Sequence, residues 1–227
     1  MKNLILNLML LLIGTSIYAQ PVRSGNGKKI TEGTITYSVE WNLPEQFQSL
    51  AGNFPTELKV YFKGDSSSSK TESPMYKSAS ILNASKKYER LLLDIPLMGK
   101  KFSVIFSPAD KEKMLASMPD FTLKTGTETK SIAGYNAVKH EVNEKKSHQN
   151  SEAWFTKELD ITENSLTRFF DKSFGFPLEF TSYMNGLSIK AVVKEIKAGT
   201  VPAGAFSASE DYEEITLDQL MQMQRGG

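Results

Sequence analysis

Cysteine is absent from all 227 residues. That absence removes disulfides, thiolate nucleophiles and thiolate metal sites together. Histidine is nearly absent, with only His140 and His148. His140 lies in an alternating segment beside Glu141, which a strand turns to the opposite face, so the two cannot act as a base and its orienter. His148 sits in a polar run, residues 144–150, that reads as a loop, and both histidines are expected at the surface. Their spacing matches no familiar metal-ligand pattern, no nucleophile elbow is present, and no scattered glycine precedes a phosphate-cradling helix. Consecutive acids at Asp211, Glu213 and Glu214 are explained by solvation and by the helix expected after them. The chain is therefore expected to be non-catalytic, with no metal and no cofactor.

An excess of one charge is also missing. The formal charge of +1 includes Lys2, and residues 1–19 hold no acid, so the rest of the chain carries 26 basic and 26 acidic residues. A balance like that favours neither nucleic acid nor anionic lipid as a partner. Long apolar runs are missing too. The longest, residues 4–13, falls short of the about 20 residues that span a bilayer, so no transmembrane segment is expected.

That short run is informative in its setting. Lys2 precedes it, Asn7 alone interrupts it, and Ile17-Tyr18-Ala19 follows ahead of Gln20. A charged start, a short apolar stretch and small or aliphatic residues at the cleavage positions are what a signal peptidase reads, and Pro21 disfavours cutting one residue later. Residues 1–19 are expected to be a signal peptide and Gln20 the mature start. A lipid anchor would need a cysteine at that place. The mature chain is expected to be soluble in the periplasm or outside the cell. Residues 20–31, rich in Gly, Ser and basic groups, read as a flexible tail, and 32–227 as a single domain.

Within the domain the apolar pattern has period two. Residues 34–41 put Ile35, Tyr37, Val39 and Trp41 on one face and polar groups on the other, a half-buried strand. Leu58, Val60 and Phe62 repeat the pattern, then Phe102, Val104 and Phe106, then residues 135–142. Asn185-Gly186 separates two more alternating runs and predicts a hairpin. Residues 80–83 and 88–95 add two strands. The serine-rich stretch 65–73 carries nothing apolar on either face and is expected as an exposed or edge strand. The total, about nine to eleven strands with short turns, predicts a mainly β (α+β) fold built on one antiparallel sheet large enough to curl.

Helices are few. Residues 44–51, 107–118, 162–170 and the stretch after the capping box at Thr216 and Gln219 have helical spacing. They suit a cover for a sheet. Thirteen Phe, eight Tyr and nine Met supply adaptable apolar surface, which is either core or the wall of a concave site.

The ordered elements Lys130-Ser131-Ile132-Ala133-Gly134-Tyr135, Trp154-Phe155-Thr156, Gly175-Phe176-Pro177-Leu178 and Phe206 before Tyr212 resemble a family of secreted envelope proteins known only as a domain of unknown function. Family members often carry a cysteine shortly after the Tyr; Asn136 and Ala137 stand here instead. The family is similar in architecture to periplasmic lipoprotein carriers and their outer-membrane receptors. That likeness implies a curved antiparallel half-barrel covered by a few short helices over a hydrophobic cavity. It would place Ile35, Tyr37, Val39, Trp41, Val60, Phe62, Val104 and Phe106 on the cavity wall as ligand-binding residues. The expected function is a non-catalytic binding protein that holds a lipid, an acyl chain or another apolar ligand. The alternative is an envelope structural or interaction module, with a filled core and a protein partner. An uncharacterised hydrolase stands a distant third.

Overall fold

The computed structural model of the chain describes residues 28–115, 118–184 and 187–225. In chain order the strands are β1 (Lys28–Lys29), β2 (Glu32–Asn42), β3 (Glu57–Lys63), β4 (Ser66–Glu72), β5 (Lys77–Asn83), β6 (Tyr88–Ile95) and β7 (Lys100–Ile105), with a 3₁₀ helix (Glu45–Asn53) between β2 and β3. Helix α1 (Pro108–Leu115) leads to β8 (Phe121–Ile132), β9 (Tyr135–Glu144), β10 (Gln149–Thr156), β11 (Leu159–Asp160), β12 (Phe176–Met184), β13 (Leu187–Ala198), β14 (Glu213–Glu214) and α2 (Leu217–Arg225). Twelve strands form one sheet in the order β14-β7-β6-β5-β4-β3-β2-β13-β12-β10-β9-β8. It does not close, since β8 and β14 are its two ends. No helix among the described residues is long and apolar enough to cross a membrane.

The protein is mainly β with few short helices, and several sequence expectations need correction. The sheet is mixed: β14 runs parallel to β7, and β1 and β11 form a separate parallel pair. It also holds more strands than the apolar pattern counted. β8 escapes that pattern because its residues alternate mainly between Thr and charged groups, with little burial on either face. The predicted hairpin is present as the Met184–Leu187 pairing, while Asn185 and Gly186 lie outside the described residues. Residues 1–19, where a signal peptide was expected, and most of the expected tail also lie outside them.

Strand β4 overturns the expectation of an exposed edge. It is central, flanked by β3 and β5, and buried on both faces. Ser67, Ser69 and Thr71 share a face with Phe62, Val60 and Leu58, while Ser68 points the other way with no exposure. Beside Ser68 stands Ile81, packed under Phe206 of the segment that follows β13. Small hydroxyl side chains let covering chain approach both faces closely. The Ser67, Ser68 and Ser69 hydroxyls are buried without a hydrogen-bond partner among the described residues, and a polar strand facing water has the same sequence pattern as one buried by covering chain.

Residues 162–170 are not the expected helix but a series of turns. The Asn164 side chain accepts from the Leu166 N–H (2.9 Å), and Thr167 Oγ1 accepts from the Asn164 N–H (3.0 Å). Such local side-chain bonds compete with helical ones. His140 is not at the surface either. It is 4 % exposed and packs edge-on against Phe155 (4.9 Å) and Phe174 (5.3 Å). Burial among rings pulls its pKa below the ordinary value. His148 is exposed, as expected.

The other helices follow their caps. The Ser107 N–H donates to Asp110 Oδ2 (2.9 Å) and the Asp110 N–H to Ser107 Oγ (3.2 Å), which starts α1. Thr216 and Gln219 exchange the same pair of bonds at 2.8 and 3.1 Å and start α2. Both are reciprocal capping boxes. The segment predicted at 44–51 forms the 3₁₀ helix.

Candidate functional site

The face of the sheet that carries Tyr37 is where a ligand was expected, and the chain itself covers it. Residues 161–174 lie against β2, β9, β10 and β12 and bring Ile161, Leu166, Phe170 and Phe174 into one apolar cluster. Phe170 stacks on Phe121 (5.0 Å) and meets Phe155 and Phe180 edge-on at 5.3 and 5.2 Å. Asn164, with no exposure, directs Nδ2 at the Tyr37 hydroxyl (3.4 Å). Burial raises the pKa of that hydroxyl, so it stays a neutral partner. Arg168 Nη2 donates to Glu89 Oε1 on β6 at 3.0 Å, and both side chains are 1 % exposed. Burial pushes the Glu89 carboxyl up, and Arg168 and then Lys111 oppose that rise. The segment ends at Gly175, whose φ of 102° and approach to Thr156 leave no room for a side chain: an added Cβ would fall 2.3 Å from the Thr156 carbonyl oxygen.

A second cover lies on the same face over β6 and β7. Leu217 and Leu220 of α2 are buried with Leu91, Leu93, Phe102 and Val104, and Phe47 and Leu50 of the 3₁₀ helix pack beside them. Between the two apolar clusters runs a seam of buried hydroxyls on β4 and β5: Ser67, Ser69, Thr71, Ser78 and Ser80. Thr71 and Ser78 hydrogen-bond across it at 2.7 Å.

The expected wall residues divide between the two clusters. Ile35, Tyr37, Val39, Val60 and Phe62 lie in the first, Val104 and Phe106 in the second. Trp41 is half-buried and touches both. Its indole N–H donates to the Pro55 carbonyl (2.8 Å) and its ring meets Phe54 edge-on at 5.1 Å. Near the end of the 161–174 cover is a cleft of about 30 Å³ bordered by Leu159, Phe170 and Phe176. That is room for about one water.

The larger opening is on the opposite face of the sheet. Residues 199–212 cross that face and join β14; the Val201 N–H donates to Glu32 Oε1 (3.0 Å) at one end, and Lys101 pairs with Asp211 (2.6 Å) at the other. Between this strap and strands β4 to β6 is a groove of about 330 Å³. Ala79 and Leu92 form its floor, Tyr212 and Ala208 its strap wall, and Lys70, Glu72 and Lys77 its rim. None of the expected wall residues borders it. The signal that could have found it is modest: aromatic Phe206 and Tyr212 inside a polar, turn-rich segment after the last long strand, which need something apolar to rest on.

No protein-family model matches the chain, and no curated protein matches it. The described residues also hold no group of His, Asp and Glu arranged to take a metal ion.

Proposed function

We propose that this is an exported, non-catalytic envelope protein, of half-barrel type, whose interior is filled by its own chain and whose partners are other proteins. The burial of Ile35, Tyr37, Val60 and Phe62 at 0–1 % exposure beneath residues 161–174 carries this reading. A space large enough to hold an acyl chain would leave such walls uncovered. Export rests on the character of residues 1–19, and the half-barrel on the likeness to the lipoprotein carriers.

A second reading keeps the apolar ligand. The cover is joined to the sheet partly by polar groups, Asn164 to Tyr37 and Arg168 to Glu89, and a polar joint is one that a ligand could replace by displacing residues 161–174. Native mass spectrometry of the protein, exported from cells with its own leader and followed by organic extraction, separates the two. The filled interior predicts the bare mass of the chain from residue 20 onward. A stoichiometric lipid or acyl species would overturn it in favour of the displaced cover.

A further inference from the structure

We propose that the groove between the strap and strands β4 to β6 binds a small amphipathic anion, its aromatic or aliphatic body on Ala79, Leu92 and Tyr212 and its charged end at Lys70. This goes beyond the reading above and does not depend on what fills the opposite face.

The argument begins with charge. Lys59 on β3 and Lys70 on β4 stand directly opposite each other, a pairing of like charges that destabilises a sheet unless something offsets it. Neither has an acidic partner among the described residues, and the Lys70 ammonium lies 5.3 Å from the Tyr61 ring centre. The acids nearby are already engaged. Glu72 pairs with Lys77 (3.5 Å), and Lys101 holds both Asp94 (3.7 Å) and Asp211 (2.6 Å). Positive charge is thus what remains available to a ligand at this rim.

The floor supplies the other half of the chemistry. Ala79 and Leu92 are buried by the strap rather than by the sheet's own core, and Phe206, Ala208 and Tyr212 pack against them. An apolar floor, one aromatic wall and a few convergent polar groups, Ser207 and Ser209 among them, are the usual make-up of a small-molecule site. A volume of about 330 Å³ is at the small end of such sites, which suits one ring system or a short chain with a single anionic group rather than a whole lipid.

The test is a titration of the full mature chain with 8-anilinonaphthalene-1-sulfonate, an aromatic sulfonate, followed by fluorescence and calorimetry. Inorganic phosphate serves as the anion without a body. Expected are one bound sulfonate per chain, affinity that falls as ionic strength rises from about 0.01 to about 0.15 M, and little response to phosphate. Lys70→Glu should weaken binding at least about tenfold and Lys59→Glu several-fold, while Lys70→Arg keeps it. Lys86→Glu, the same charge change in the turn after β5, should change nothing. Lys70→Gln replaces Lys70→Glu if the latter does not fold, and unchanged circular dichroism certifies each variant. The proposal is overturned by no binding, by several weak equivalent sites, by equal losses in Lys70→Glu and Lys86→Glu, or by phosphate binding as well as the sulfonate, which would mean an adventitious ion only.

Discussion

Two covers lie side by side on one face of the sheet, and they hold to it by different physics. Residues 161–174 are irregular, and their position is specified by buried polar contacts: Asn164 with Tyr37, Arg168 with Glu89. Helix α2 is regular and attaches through Leu217 and Leu220, with its ion pair, Lys113 to Asp218, at the surface. Burial of apolar area is non-directional, so an amphipathic helix can shift slightly and still gain most of it. A buried charge pair tolerates no such shift, because either partner alone is costly in a medium that solvates it poorly. The irregular cover should therefore be placed more uniquely, and fail more abruptly, than the helical one.

The sharpest test of that contrast is Arg168→Ala. Leaving Glu89 buried without its guanidinium should cost about 3–5 kcal/mol in urea unfolding, while the double change Arg168→Met with Glu89→Met should recover most of it. A loss no larger than that of a surface substitution would break the comparison, since the pair would then not be what positions the cover.

Trp41→Ala comes next, at about 3 kcal/mol, because the ring is half-buried and its N–H bond to Pro55 is lost with it. As Trp41 touches both clusters, amide exchange should quicken beneath both covers. Leu220→Ala should cost about 2–3 kcal/mol. Its quickened exchange should stay within α2 and the strands below it. Spread of that effect to residues 161–174 would show the two covers to be one cooperative unit.

The smallest effect is on pH, and His140 on the irregular side carries part of it. The pKa of His140 is lower in the folded chain than its ordinary value of about 6.5, because burial among Phe155 and Phe174 disfavours the charged ring. Its contribution is thus present above about pH 6.5 and lost as the pH falls below it. Burial pushes Glu144 up, but the N–H groups of Asp120 and Ser147 outweigh it and hold the carboxyl at about 2. Its contribution is present above its ordinary value of 4.5 and is lost as the pH falls towards about 2. His140→Phe should flatten the upper part of the acid profile and Glu144→Gln the lower part, both read from chemical denaturation at stepped pH. Glu89 runs the other way, since its pKa is raised, and does not account for acid loss.

Much of the fold was legible because alternation reports burial directly. Tyr37, Val60, Phe102, Val104, Phe180 and Ala191 all face inward as their period requires, and the expected capping box at Thr216 and Gln219 forms. What was not legible shares one cause. Ser67, Ser68, Ser69 and His140 are polar residues buried by neighbours distant in the chain, and their own spacing carries no trace of those neighbours. The outer groove was hidden for the same reason, since Lys70 and Tyr212 meet only because the strap crosses β4 to β6.

By itself the sequence determined the strand-rich class, the inward faces of β2, β3 and β7, the lack of any thiol chemistry and the near balance of charge. These follow from local periodicity and composition, which need no knowledge of what packs where. Only the tertiary structure decided that β4 is central, that residues 161–174 fold as turns over the expected wall, and that an open groove lies on the opposite face. Each of those depends on contacts between residues far apart in sequence, where the free energy of burial is set by the partner and not by the residue alone.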